Sequence, residues 1–274
     1  YLSETLEKTV NEEYLDNDSM DFEQAWKVEE YKEGLQEELL ENSEVGYVIE
    51  PKYLYPNLIK QIKENTFTIE TLQNALNKLE ESTLGHASQE DFKGLFEDLD
   101  LTSSKLGRGE AEKTKLISKI MLKIYDIDFK FDDSQIDILG DAYEYLIGQF
   151  AASAGKKAGE FYTPQSVSEI LTRIVTLGKN ELRDIYDPTC GSGSLLLRAA
   201  DHVKVGKYYG QEKEPTTYNL ARMNMMLHGV PYNRFDIHND DTIEKPAERH
   251  MDMRFEAVVA NPPYSAKWSS DKSF

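Results

Sequence analysis

Apolar positions recur at three- and four-residue spacing through much of the first half of this chain. Leu58 and Ile62, then Ile69, Leu72, Leu76 and Leu79, fall on one face of a 3.6-residue helix. Leu116, Ile117, Ile120, Met121 and Ile124 form a second stripe, and Ile136, Leu139, Tyr143, Leu146, Ile147 and Phe150 a third. Residues 51–152 therefore read as an all-helical domain whose stripes face a core, suited to docking partners. Residues 1–50 show few regular apolar positions before Trp26 and read as an acidic segment, helical or partly ordered.

The rhythm changes after a short basic, glycine-containing stretch at Ala151 to Gly159, read as a hinge or mobile loop. Thr163-Pro164 forms a helix opening, with Thr163 as the N-cap and Pro164 at the first helical position. Short apolar strands are expected at Asp184–Tyr186, Lys207–Gln211, Arg234–Ile237 and Phe255–Ala260. Helices are expected from Thr163 to Leu177, from Ser194, and over Pro215–Leu227. Strands alternating with helices imply a parallel sheet covered on both faces. Four strands are few for a complete doubly wound domain, so residues 153–274 are expected to be the N-terminal part of one, truncated after about its fourth strand.

Charge divides the chain at the same place. Residues 1–150 hold 15 Lys and Arg against 34 Asp and Glu, whereas residues 151–274 hold 16 of each. Affinity for nucleic acid rests largely on cations at phosphates, so this chain grips DNA poorly by composition, and any action on DNA needs a partner's help. The single cysteine, Cys190, excludes an internal disulfide framework and fits a reducing, cytoplasmic setting. No stretch has the roughly 18 apolar residues of a membrane span, so no membrane partner is expected. The five histidines show no metal-ligand spacing, and no metal is assigned.

Two short segments carry chemistry. Asp187-Pro188-Thr189-Cys190-Gly191-Ser192-Gly193-Ser194 lies between an expected strand and an expected helix. Glycines there let the backbone turn tightly around a ligand at a helix N-terminus. Glu212 ends the next strand, where a carboxylate can accept both hydroxyls of a ribose. There is neither a third glycine in the dinucleotide register nor a P-loop lysine. An Asp at the strand end suits a ligand bearing an ammonium group, which S-adenosylmethionine has and NAD lacks. The second segment, Asn261-Pro262-Pro263-Tyr264, follows the fourth strand. Its prolines stiffen the loop and remove N–H donors. Asn261 offers an acceptor, and Tyr264 a flat face on which an extruded base can stack.

Together with Glu160-Phe161-Tyr162-Thr163-Pro164, these segments resemble the ordered motifs of amino-group DNA methyltransferases of the gamma arrangement. The run from Asp141-Ala142-Tyr143-Glu144-Tyr145-Leu146-Ile147 through Lys156-Lys157-Ala158-Gly159-Glu160 is similar to the modification (M) subunit of type I restriction–modification systems. So is Ala221-Arg222-Met223-Asn224-Met225. The resemblance is good over residues 90–274 and poor over the first 50. It implies an α-helical N-terminal domain followed by an α/β Rossmann-like, S-adenosylmethionine-dependent methyltransferase domain. It further implies transfer of a methyl group to adenine N6 in double-stranded DNA. Phe161, Tyr162, Thr163 and Pro164 would line the methionine end of the cofactor, Asp187, Gly191 and Gly193 its amino-acid part, and Glu212 its ribose. Asp241 in Asp240-Asp241-Thr242 would bind the adenine amino group, with Asp240 standing where the family usually has Gly. Asn261, Pro262 and Tyr264 would hold the target base. The implied partners are double-stranded DNA, a sequence-reading specificity (S) subunit, a second M subunit and, where a nuclease is present, the restriction (R) subunit. Two other readings stay open: a truncated, non-catalytic module that binds a partner or cofactor, and a glutamine methyltransferase acting on release factors, which shares Asn-Pro-Pro-Tyr.

Overall fold

The computed structural model describes residues 1–15, 20–129, 138–153 and 163–263. It divides into two compact units, Tyr1–Ile136 with Pro231–Asn233, and Asp137–Val230 with Arg234–Phe274.

The first unit is helical. Its helices are α1 (Leu2–Thr9), α2 (Phe22–Ala25), α3 (Glu29–Glu37), α4 (Tyr55–Lys63), α5 (Ile69–Ser82), α6 (Gln89–Phe92) and α7 (Glu110–Tyr125). Leu58, Ile59, Phe67, Leu101, Ile117 and Met121 make one buried cluster, against which Ile62, Ile69, Leu72 and Leu76 pack. The acidic first segment is fastened to this unit: Leu6 and Val10 are wholly buried, and the Tyr55 amide donates to the Ser3 hydroxyl at 2.7 Å. The stripe expected on α7 is split. Ile117 and Met121 face the core, but Leu116, Ile120 and Ile124 are exposed. Their side of the helix turns away from α4 and α5, the neighbours that α7 packs against.

The second unit opens with α8 (Ile138–Ser153) and continues through α9 (Gln165–Val175), β1 (Glu181–Asp187), α10 (Ser194–Leu197), β2 (Lys204–Glu212), α11 (Pro215–Leu227), β3 (Phe235–Asn239), α12 (Glu248–Met251) and β4 (Ala257–Val258). All strand pairs are parallel, in the order β3-β2-β1-β4. Alternation sends Ile185 and Tyr208 to one face and Tyr186 and Tyr209 to the other, where Phe255 stacks on Tyr186 at 4.5 Å between ring centroids. Buried Glu144 of α8 pairs with Arg198, just beyond α10, at 3.3 Å.

Two local expectations change. Pro164, not Thr163, is the N-cap of α9, and no side chain caps that helix. Pro164 is extended (φ −54°, ψ 136°), so helical geometry starts one residue later and the Thr163 hydroxyl is free for another partner. The fourth strand is also short, two residues instead of Phe255–Ala260. Among the described residues it pairs with β1 alone, prolonged by one bond from the Val259 amide to the Tyr186 carbonyl. The stretch expected as a hinge, past Ser153, lies outside the described residues.

Candidate cofactor and base site

Strand order fixes where a ligand belongs. The chain leaves β1 toward β2 on one side, while β4 adds on the other. In a parallel sheet the crevice for ligands opens at such a reversal, beyond the C-terminal strand ends. The glycine loop after β1 and the Asn261 segment after β4 therefore border the same crevice.

In the glycine loop, Gly191 and Gly193 have φ of +55° and +78°, the left-handed region that side chains avoid. A Cβ on Gly193 would also come within 3.1 Å of Met225 Cε on α11. Gly193 is the N-cap of α10, at the helix start expected from the sequence. The Asn224 side chain, fully buried on α11, donates to the Ser192 carbonyl at 3.0 Å. Cys190 is buried, with its thiol pushed well above the ordinary range by desolvation, which fits a packing residue rather than a nucleophile.

Two carboxyls flank the loop. Asp187 is almost completely buried, and its Oδ1 accepts the Thr189 amide at 2.8 Å and the Thr189 hydroxyl at 3.3 Å. Burial dominates over these bonds and raises its pKa from 3.8 to about 7. Glu212 Oε2 accepts the Gly191 amide at 3.0 Å, and Oε1 accepts the Glu214 amide at 2.8 Å. Its pKa is also raised by burial, against the pull of those amides. Two acidic groups at the rim of a glycine loop, one of them deeply desolvated, make a site that gains from a cationic ligand.

Asp241 lies in the loop after β3. Its Oδ1 accepts the amides of Ile243 and Glu244, and its Oδ2 pairs with Lys213 at 3.0 Å. The Lys213 ammonium, first among the causes, holds the carboxyl below its ordinary value. The Thr242 hydroxyl donates to the Pro188 carbonyl, which ties this loop to the glycine loop. Asp240 turns elsewhere, toward Lys245 at 3.3 Å.

Asn261 is half-buried and donates from Nδ2 to Thr163 Oγ1 at 3.2 Å. One of its two amide hydrogens is thereby engaged, and its carbonyl oxygen is left as an acceptor. Pro262 is exposed. The structure thus assembles Asp187, Gly191, Gly193 and Glu212 around one loop, joins Asp241 to that loop through Thr242, and pairs Asn261 with Thr163. Phe161, Tyr162 and Tyr264 lie outside the described residues. Among the described residues no three His, Cys, Asp or Glu side chains gather as metal ligands, and no helix is long and apolar enough to cross a membrane.

Gln211, Thr242, Lys213 and Asn224 were not foreseen as parts of the site. The available signal for Gln211 was its place beside Glu212 at a strand end. Asn224 signalled itself only as an amide within the apolar run of α11.

Comparison with known proteins identifies the family. Residues 134–274 match the family described as N-6 DNA Methylase, and residues 1–124 match the HsdM N-terminal domain. The type I restriction enzyme MpnII methylase subunit of Mycoplasma pneumoniae is 39% identical over 99% of this chain and 53% of its own length. The MjaVIII methylase subunit of Methanocaldococcus jannaschii is 33% identical over 87% of this chain and 42% of its length. A crystal structure of a type I restriction–modification methyltransferase subunit from Streptococcus thermophilus superposes with a TM-score of 0.83 at 38% identity, over 98% of this chain and 57% of that one. The chain spans about half the length of these relatives. The similarity also reaches the first 50 residues, where the motifs alone gave little.

Proposed function

We propose, for a chain that belongs to the N-6 DNA methylase family of type I restriction–modification methylase subunits, that its protein methylates adenine N6 in double-stranded DNA from S-adenosyl-L-methionine. S-adenosylmethionine fits the residues present. Positive-φ glycines leave room at a helix start, Asp187 is a buried acid with no cation beside it among the described residues, and Glu212 stands beside the same loop. When bound, it supplies an electrophilic methyl group on a sulfonium. Asp187, Gly191 and Gly193 would hold its amino-acid part, Glu212 its ribose, and Asp241 its adenine amino group, with Lys213 giving way. Phe161, Tyr162, Thr163 and Pro164 would border its methionine end.

The observation that carries the base-binding half is the bond from Asn261 to Thr163. An exocyclic adenine amine is a poor nucleophile because its lone pair is delocalised into the ring. An acceptor that takes one of its hydrogens draws the nitrogen toward tetrahedral geometry and frees that lone pair. With the Nδ2 side of Asn261 turned to Thr163, its oxygen would be the atom presented to the base. The Pro262 carbonyl would take the second hydrogen and Tyr264 would stack on the ring. Positioning and preorganised acceptors then supply the acceleration, with no covalent nucleophile. The acidic residues 1–150 and the charge-neutral residues 151–274 support a division of labour in which an S subunit, and a second M subunit, provide the hold on DNA.

The test is transfer of a labelled methyl group to duplex DNA by the full-length protein, alone and assembled with its S subunit. N6-methyladenine formed only by the assembly is expected. Label on cytosine or on a protein amide would overturn the reading, and equal rates without S would remove the need for a partner.

A further inference from the structure

Gln211 is wholly buried, and every polar atom of its side chain is engaged with the loop after β3. Its Nε2 donates to the carbonyls of Asp240 at 3.2 Å and Lys245 at 2.8 Å, and its Oε1 accepts the Ala247 amide at 3.1 Å. Its own carbonyl accepts the Cys190 amide at 3.0 Å, inside the glycine loop. One residue thus grips both ends of the 240–247 loop with its side chain and the glycine loop with its backbone. The arrangement needs an amide: a carboxylate there would face two carbonyl oxygens, and a hydrocarbon would take the partner from three backbone groups, that of Ala247 buried.

We propose that Gln211 is a positioning residue that sets the 240–247 loop against the glycine loop, so that Asp241 stands where the cofactor's 6-amino group is selected. The inference rests on the reading of Asp241 given above. Asp241 caps its own turn through the amides of Ile243 and Glu244, so its carboxylate moves with the loop and not independently of it. The loop is also strapped from Thr242 to Pro188, which reaches the glycine loop near its start, and from Asp241 to Lys213 just past β2. Gln211 holds the loop at Asp240, Lys245 and Ala247, on both sides of Asp241.

The test compares the chain's affinity for S-adenosylhomocysteine with that for the analogue lacking the 6-amino group, by titration calorimetry. The wild-type chain should prefer the amino compound by about tenfold or more, the worth of one well-made hydrogen bond to a charged group. Gln211→Leu should abolish most of that preference while changing affinity for the analogue little. An equal loss for both ligands, with the preference intact, would reduce Gln211 to a packing residue and overturn the proposal. Binding of both ligands without preference by the wild type would overturn it by removing Asp241's role, and binding of neither would remove the cofactor reading itself. Should Gln211→Leu fail to fold by circular dichroism, hydrogen exchange on the wild type decides. S-adenosylhomocysteine should slow exchange in 240–247 together with 188–193, and slowing confined to 188–193 would overturn the proposal.

Discussion

The carboxylate of Glu212, at the end of β2, accepts the Gly191 amide at 3.0 Å, so the strand expected to meet the ribose also fastens the glycine loop. Replacing Glu212 with Ala removes the acceptor for two backbone amides as well as the ribose contact. Each unmade bond costs about 1–3 kcal/mol, so affinity for S-adenosylhomocysteine should fall by about 100-fold. Glu212→Gln keeps an acceptor and should lose less. Calorimetric titration of both variants checks the order, and equal losses would show that charge rather than loop geometry matters.

Asn261 and Thr163 should separate chemistry from binding. In the assembled full-length protein, Asn261→Ala is expected to abolish methyl transfer and to leave S-adenosylhomocysteine affinity within about twofold, because it removes an acceptor aimed at the base. Thr163→Val frees the Asn261 amide to turn its nitrogen inward and should slow transfer by about tenfold, the worth of roughly 1.4 kcal/mol. Single-turnover rates with and without saturating cofactor measure both. A large loss of cofactor affinity in Asn261→Ala would move Asn261 out of the base pocket.

Asp187 predicts a pH dependence of stability. Its carboxyl has an ordinary value of 3.8 and a folded value of about 7. Between these the folded state holds a proton that the unfolded chain has released, so stability is greatest at the acid end and declines as pH rises. The decline should be complete above pH 7 or so, where the folded protein carries a buried anion held only by neutral donors among the described residues. Thermal melts of the wild-type chain and Asp187→Asn across about pH 5 to 8 should converge at the acid end, with the variant becoming the more stable at the alkaline end. A wild-type curve parallel to the variant's would refute this. A cationic ligand beside Asp187 lowers its pKa again, so S-adenosylmethionine binding near pH 6 should release a proton. Calorimetry in two buffers of different ionisation enthalpy reads that release directly.

Gly210 is required by its neighbours rather than by its backbone angles. A Cβ there would lie 2.9 Å from both Cys190 Sγ and Ile237 Cδ1. Gly210→Ala should therefore destabilise the second unit by about 1–3 kcal/mol through overpacking, visible as a lower melting temperature. Pairing it with Cys190→Ala should recover part of the loss, since the thiol sulfur is one of three obstructing atoms, the others being Cys190 Cβ and Ile237 Cδ1. No recovery would show that the sulfur is not the source of the strain.

Much of the fold was written in one-dimensional patterns. The change from helical spacing to short apolar runs, the helix start at Ser194 and the full span Pro215–Leu227 are local properties, set by periodicity and by proline and glycine, and the structure keeps them. The roles proposed for Asp187, the glycines, Glu212 and Asn261 come from residue type at a strand end, which constrains what a residue can bind. Spacing alone did not show which side of a stripe is covered. Leu116, Ile120 and Ile124 share the periodicity of Ile117 and Met121, yet only the latter two meet α4 and α5. Nor did it reveal that Thr163 would serve Asn261 instead of a helix cap, or that Gln211 would span two loops. Those are contacts between residues tens of positions apart, fixed by the strand order β3-β2-β1-β4. The sequence supplied the candidate groups on which the proposed site rests. Only the packing of the sheet decided which of them hold one another, because hydrogen bonds made across a fold leave no period in the chain that makes them.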